Sequence, residues 1–87
     1  MTPYQQVNVQ TFLLATLRSA GGTGISEEQL LTLMRREGYV DMTVPQLASE
    51  LRALADKSWL IAFDPPLGAR RWRITTAGHA ILSEQGI

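Results

Sequence analysis

The sequence predicts a small, mostly helical α+β domain with a three-helix core, one β-hairpin and a last helix. Three observations carry this. First, two apolar runs with 3.6-residue spacing each open on a hydroxyl residue followed three positions later by glutamine, Ser26-x-x-Gln29 and Thr43-x-x-Gln46. That reciprocal pattern satisfies free backbone donors at a helix start. Second, a longer run with the same period precedes them and stops at Gly21-Gly22. Third, the strand-like runs SWLIAF and RRWRIT flank DPPLGA, where proline presets φ and glycine permits a positive one, as a hairpin turn requires.

The first helix is predicted over residues 4–20. Val9, Phe12, Leu13, Thr16 and Leu17 fall on one face, and Tyr4, Val7 and Leu14 lie off that stripe. Pro3 is tolerated in a first turn. Residues 23–25 are too short to assign from pattern alone. The second helix spans 26–37: Ser26 caps it, and Glu27 and Glu28 sit where the helix dipole favours negative charge. Leu30, Leu31, Leu33 and Met34 supply its buried face, Arg35 and Arg36 lie in the last turn, and Gly38 stops it.

A short connector leads to the third helix, 43–57, with Pro45 in its first turn. Val44, Leu47, Ala48, Leu51, Leu54 and Ala55 form the expected buried stripe. Thr43, Gln46, Ser49, Glu50, Ala53 and Lys57 are expected to face outward. Strands follow over 58–63 and 70–75, with Trp72 and Ile74 on one face of the second and Arg71 and Arg73 on the other. Thr75 or Thr76 caps a last helix over 77–84.

Size and composition bound the rest. Eighty-seven residues make one domain, 1–87, with a single core. An apolar share of 45% and a charged share of 18% are those of a globular chain. No apolar run is long enough to span a bilayer, and no signal peptide is visible, so a cytoplasmic protein is expected. The absence of cysteine removes disulfides, thiol nucleophiles and thiolate metal sites. With His79 as the only histidine and the carboxylates scattered, no constellation for acid–base, nucleophilic or metal catalysis stands out. A binding protein without cofactor is expected rather than an enzyme. Eight basic residues balance eight acidic ones, so net charge gives no argument for nucleic acid, and distribution has to carry it.

The order helix, minimal strand, helix, helix, hairpin, helix resembles that of the winged helix-turn-helix superfamily. Leu54–Ile61 (LADKSWLI) is similar to the end of a recognition helix running into the first wing strand. Residues 71–82 (RWRITTAGHAIL) resemble the wing-exit phrase of MarR-like and PadR-like regulators, with Ile74, Thr75, Gly78 and Leu82 at its marked positions. Small phage-borne winged-helix proteins are similar in length. Ser58 departs from the pattern, standing where glycine is common.

The resemblance implies a double-stranded DNA partner and a role in transcription regulation. The third helix would enter the major groove through Thr43, Gln46, Ser49 and Arg52. Arg70, Arg71 and Arg73 would touch the flanking backbone. Two readings stand for each set. The helix residues are groove readers, or simply the polar face of an amphipathic helix, with Glu50 in their midst repelling phosphate. The arginines grip phosphate, or protect a hairpin edge from strand pairing. Trp59 and Trp72 are expected as packing aromatics, with base stacking the alternative. Tyr4, Val7, Leu14, Ile81, Leu82 and Ile87 would form an apolar patch for a homodimer through the first and last helices. A protein-interaction module without DNA binding is the rival of a different class.

Overall fold

The computed structural model describes residues 2–87, and the side chains of Pro3 and Tyr4 lie outside that description. The chain is an α+β domain, mostly helical, with a three-stranded antiparallel sheet. Helix α1 spans Pro3–Ala20 and runs through a single 3-10 turn, Gly21–Thr23, into β1, Ile25–Ser26. Helices α2, Glu27–Arg36, and α3, Val44–Asp56, follow. Strands β2, Leu60–Phe63, and β3, Arg71–Ile74, form the hairpin, and α4 spans Thr76–Glu84. The sheet order is β1-β3-β2. Ile25 pairs with Trp72, and Leu60, Ile61, Ala62 and Phe63 pair with Ile74, Arg73, Trp72 and Arg71.

The helix starts follow from their caps. Ser26 and Thr43 each accept the backbone N–H three residues on, and the glutamine at that position reaches back. Thr2 and Gln5 make a third such box at the start of α1, which the sequence reading had passed over. Thr75, not Thr76, caps α4: its Oγ1 accepts from the Gly78 N–H at 3.1 Å and donates to the Ser58 carbonyl at 2.6 Å.

Helix α3 ends in a Schellman arrangement. Trp59 N–H reaches the Leu54 carbonyl and Ser58 N–H the Ala55 carbonyl, with Ser58 in the left-handed region at φ 65°. Helix α2 ends the same way, but with Gly38 in the left-handed position. Ser58 therefore carries a conformational cost that a glycine there avoids. Ser58→Gly is expected to stabilise the protein by about 0.5–1 kcal/mol, raising the melting temperature by roughly 2–8 °C. Thermal denaturation checks this, and an unchanged or lower midpoint would contradict it.

Helix α1 is the centre of the packing. It contacts β3, α4 and α3, and Val9, Leu13, Leu14 and Leu17 are all buried. They meet Leu30 and Met34 from α2, Leu47, Leu51 and Leu54 from α3, and Leu60, Trp72, Ile74 and Leu82. Truncating a member such as Leu51 to alanine is expected to cost about 2–5 kcal/mol, measurable by urea denaturation. Leu31 and Leu33 are only half-buried, at the margin of the core.

Three expectations need correction. Leu14 and Leu82 are core residues rather than parts of an exposed patch. Of the apolar patch expected on the terminal helices, Val7 and Ile87 are exposed, Ile81 is half-buried, and Tyr4 falls outside the described side chains. Val44 does not join the buried stripe. It is 57% exposed, because the first turn of α3 projects past the core. Glu50 does not face outward. It is 8% exposed and belongs to the buried face. No helix among the described residues is long and apolar enough to cross a membrane.

Candidate nucleic-acid interface

The inward turn of Glu50 follows from helical spacing. It lies three residues after Leu47 and four before Leu54, both buried, so it shares their stripe. A carboxylate there needs partners. Two glutamines of α1 provide them: Gln6 Nε2 donates to Glu50 Oε1 at 3.3 Å, and Gln10 Nε2 donates to Oε2 at 3.1 Å. The glutamines are one helical turn apart, so both reach the same carboxylate. This three-residue bridge ties α3 to α1 and takes an acid off the outward face.

Thr43, Gln46, Ser49 and Arg52 are all exposed. Gln46, Ser49 and Arg52 recur at three-residue steps along α3 and share its polar side, while Thr43 stands at the cap. With Glu50 turned inward, the one acid on that side is Asp56, exposed one helical turn beyond Arg52. The capping box limits what its first two members can do. Thr43 Oγ1 accepts from Gln46 N–H at 3.3 Å, and Gln46 Oε1 accepts from Thr43 N–H at 3.0 Å. Gln46 is thus left with its Nε2 protons as a donor, and Thr43 with its hydroxyl proton. Within the motif Gln46 can donate to guanine O6 or N7, thymine O4 or phosphate. At the helix start Pro45 has no N–H and the Gln46 N–H is engaged, so Val44 supplies the remaining first-turn donor for an anion.

The hairpin arginines differ in kind. Arg70 lies in the turn and pairs with Asp64: Nε donates to Oδ1 at 3.0 Å and Nη2 to Oδ2 at 3.4 Å. This is the one ion pair among the described residues. Hydrogen bonding and charge from Arg70 hold the Asp64 carboxyl below its ordinary range, and Asp64 in turn raises Arg70. By linkage, any contribution of this exposed pair is present above the ordinary carboxylate pKa. It is lost as pH falls through the lowered one.

Arg71 and Arg73 lie on the outer face of the sheet, with Ile61 and Phe63 opposite them on β2. Neither bonds to a carboxylate among the described residues. Arg71 Nη1 donates to the Gly24 carbonyl at 3.3 Å, and the Arg73 guanidinium lies 5.2 Å from the centroid of the Phe63 ring. The inner face carries Trp72 and Ile74 into the core, with Trp72 Nε1–H donating to Glu27 Oε1 at 3.2 Å. Trp59, just before β2, is half-buried under the Lys57 ammonium, 4.8 Å from its ring.

The predicted binding residues thus fall into three groups: the polar side of α3 with its cap, two guanidiniums on neutral anchors, and Arg70, engaged by an acid. Residues that sequence reasoning missed are Gln6 and Gln10, which hold Glu50, and Phe63 and Gly24, which hold the arginines. His79 is exposed on α4, away from any of these. No protein-family model matches the chain, and no curated protein matches it significantly.

Proposed function

We propose that the chain is a small winged-helix DNA-binding protein acting in transcription regulation. Its element order and β1-β3-β2 sheet are compatible with that fold. Helix α3 would lie in the major groove, presenting Thr43, Gln46, Ser49 and Arg52, and the hairpin would bear on the adjacent backbone. The observation that carries the reading is the exposed polar side of α3, off which Glu50 is turned onto Gln6 and Gln10. Zero net charge does not decide the matter, because placement counts for more than the total: Glu50 is buried and Asp64 is paired with Arg70.

Filter binding against genomic duplex fragments at low salt tests the reading. Retention that falls steeply as salt rises is expected. No retention at the lowest salt would overturn it.

A second reading, a protein-interaction module, is favoured by a different observation. Val40 and Val44 are 67% and 57% exposed at the α2–α3 connector. Val40 lines a groove with Gln5, Val9, Tyr39, Asp41, Met42 and Gln46. In that case Val40→Asp and Val44→Asp would abolish partner binding while leaving duplex retention unchanged or absent.

A further inference from the structure

We infer that the outer face of the sheet, rather than the hairpin turn, is the phosphate-gripping surface of the wing. In this arrangement Phe63 and Gly24 are positioning residues for the two arginines that do the gripping. The inference rests on the DNA-binding reading above and divides the labour within it.

The hairpin turn is poorly built for phosphate. Residues 65–69, PPLGA, carry no charge. The one cation at the turn, Arg70, is held by Asp64, and Glu27 adds to the negative field around it. Moving Arg70 to a phosphate means giving up a carboxylate partner, so the exchange gains little.

Arg71 and Arg73 are placed otherwise. Two residues apart on β3, they project from the same face. The register puts Ser26, Ile61 and Phe63 beside them and no acid. Each guanidinium is oriented by a neutral group. The Gly24 carbonyl takes one N–H of Arg71, leaving other donors unengaged. The Phe63 ring backs Arg73 and leaves the edge donors of its guanidinium open. Neutral anchors fix the side chains and cut the entropy lost on binding, without cancelling the charge that a phosphodiester needs.

The anchors are themselves fixed. A Cβ at position 24 would lie 2.8 Å from Phe63 Cε1 and 2.5 Å from the Trp72 carbonyl. Gly24 also holds φ 72°. Only glycine lets the ring pack down over β1 and β3 in this way. The partner chemistry that fits is a pair of phosphodiester groups along one nucleic-acid strand.

The test is fluorescence anisotropy with a labelled random-sequence DNA duplex between about 50 and 200 mM salt. Six single variants are compared with wild type: Arg52→Ala, Arg70→Ala, Arg71→Ala, Arg73→Ala, Arg73→Lys and Phe63→Leu. The double variant Phe63→Leu/Arg73→Ala completes a cycle. Arg71→Ala and Arg73→Ala are each expected to lower the slope of log affinity against log salt by about 0.9, with Arg70→Ala leaving it unchanged. Phe63→Leu should weaken binding alone but add nothing on the Arg73→Ala background, whereas a merely structural role would add in full. Arg73→Lys keeps the charge and should keep the slope, which separates loss of contact from loss of fold.

If the slope falls for Arg70→Ala and not for Arg71→Ala or Arg73→Ala, the inference is overturned. The same follows if Phe63→Leu is additive. Such a result, with Arg52→Ala still weakening binding, leaves the DNA reading intact. Absence of any wild-type binding overturns both.

Discussion

Gly78→Ala is expected to destabilise the protein by about 2–3 kcal/mol, in the upper part of the range for overpacking. Position 78 lies in the first turn of α4, and its φ is not in the left-handed region. By helix propensity alone alanine should gain close to 1 kcal/mol there. Packing reverses the sign. A Cβ at 78 would collide with the Trp59 carbonyl and lie 2.6 Å from Ile74 Cγ1.

Neither neighbour can yield cheaply. The Trp59 carbonyl already accepts the Thr75 N–H at 3.0 Å, and Ile74 is a core residue paired with Leu60. The helix cannot back away either, since Thr75 ties Gly78 N–H on one side and the Ser58 carbonyl on the other. A fall in melting temperature of roughly 10–20 °C follows. A rise, as propensity alone predicts, would show that α4 does not press on the hairpin base as described.

The second large effect is in binding. Arg52→Glu is expected to abolish duplex binding, and Arg52→Ala to weaken it by about 1–3 kcal/mol, or roughly 5- to 150-fold. Arg52 is exposed on the polar side of α3 and has no carboxylate partner among the described residues. Its guanidinium suits the O6/N7 edge of guanine or a phosphate. The reversal to glutamate puts a second negative charge beside Asp56, one turn on.

Glu50→Gln is the informative control. If Glu50 stood on the groove face, neutralising it would tighten binding by a comparable amount. Because its carboxylate is bonded to Gln6 and Gln10 on α1, affinity should change by less than about twofold at physiological salt, where the screening length is about 8 Å. Anisotropy titrations on the three variants decide the matter.

What was legible in the sequence was what local chemistry dictates. Ser26 and Thr43 with their glutamines marked two helix starts to within a residue, because a capping box is complete within four residues. The proline and glycine of the turn marked the hairpin. Alternation put Arg71 and Arg73 on one face and Trp72 and Ile74 on the other, as the register has it.

What escaped depended on partners distant in sequence. Glu50 was assigned by its polarity, although its spacing from Leu47 and Leu54 pointed inward. The donors that make its burial tolerable lie on α1, forty or more residues away. The arginine cluster looked uniform because Phe63 and Gly24 come into reach only through strand pairing. Even Asp64 and Arg70, which flank the turn symmetrically, were read as turn residue and free cation rather than as a pair. Leu14 lay off the stripe of α1, yet it is buried, because that helix packs against the sheet, α3 and α4 together.

The most direct test of the central claim is an NMR titration of the isotopically labelled protein with duplex DNA, mapped residue by residue. The account predicts shifts concentrated on Thr43, Gln46, Ser49 and Arg52 and on Arg71 and Arg73, with Gln6, Gln10 and Glu50 unmoved. Saturating duplex that leaves residues 43–52 unshifted, or that moves only the connector residues 38–42, would contradict it.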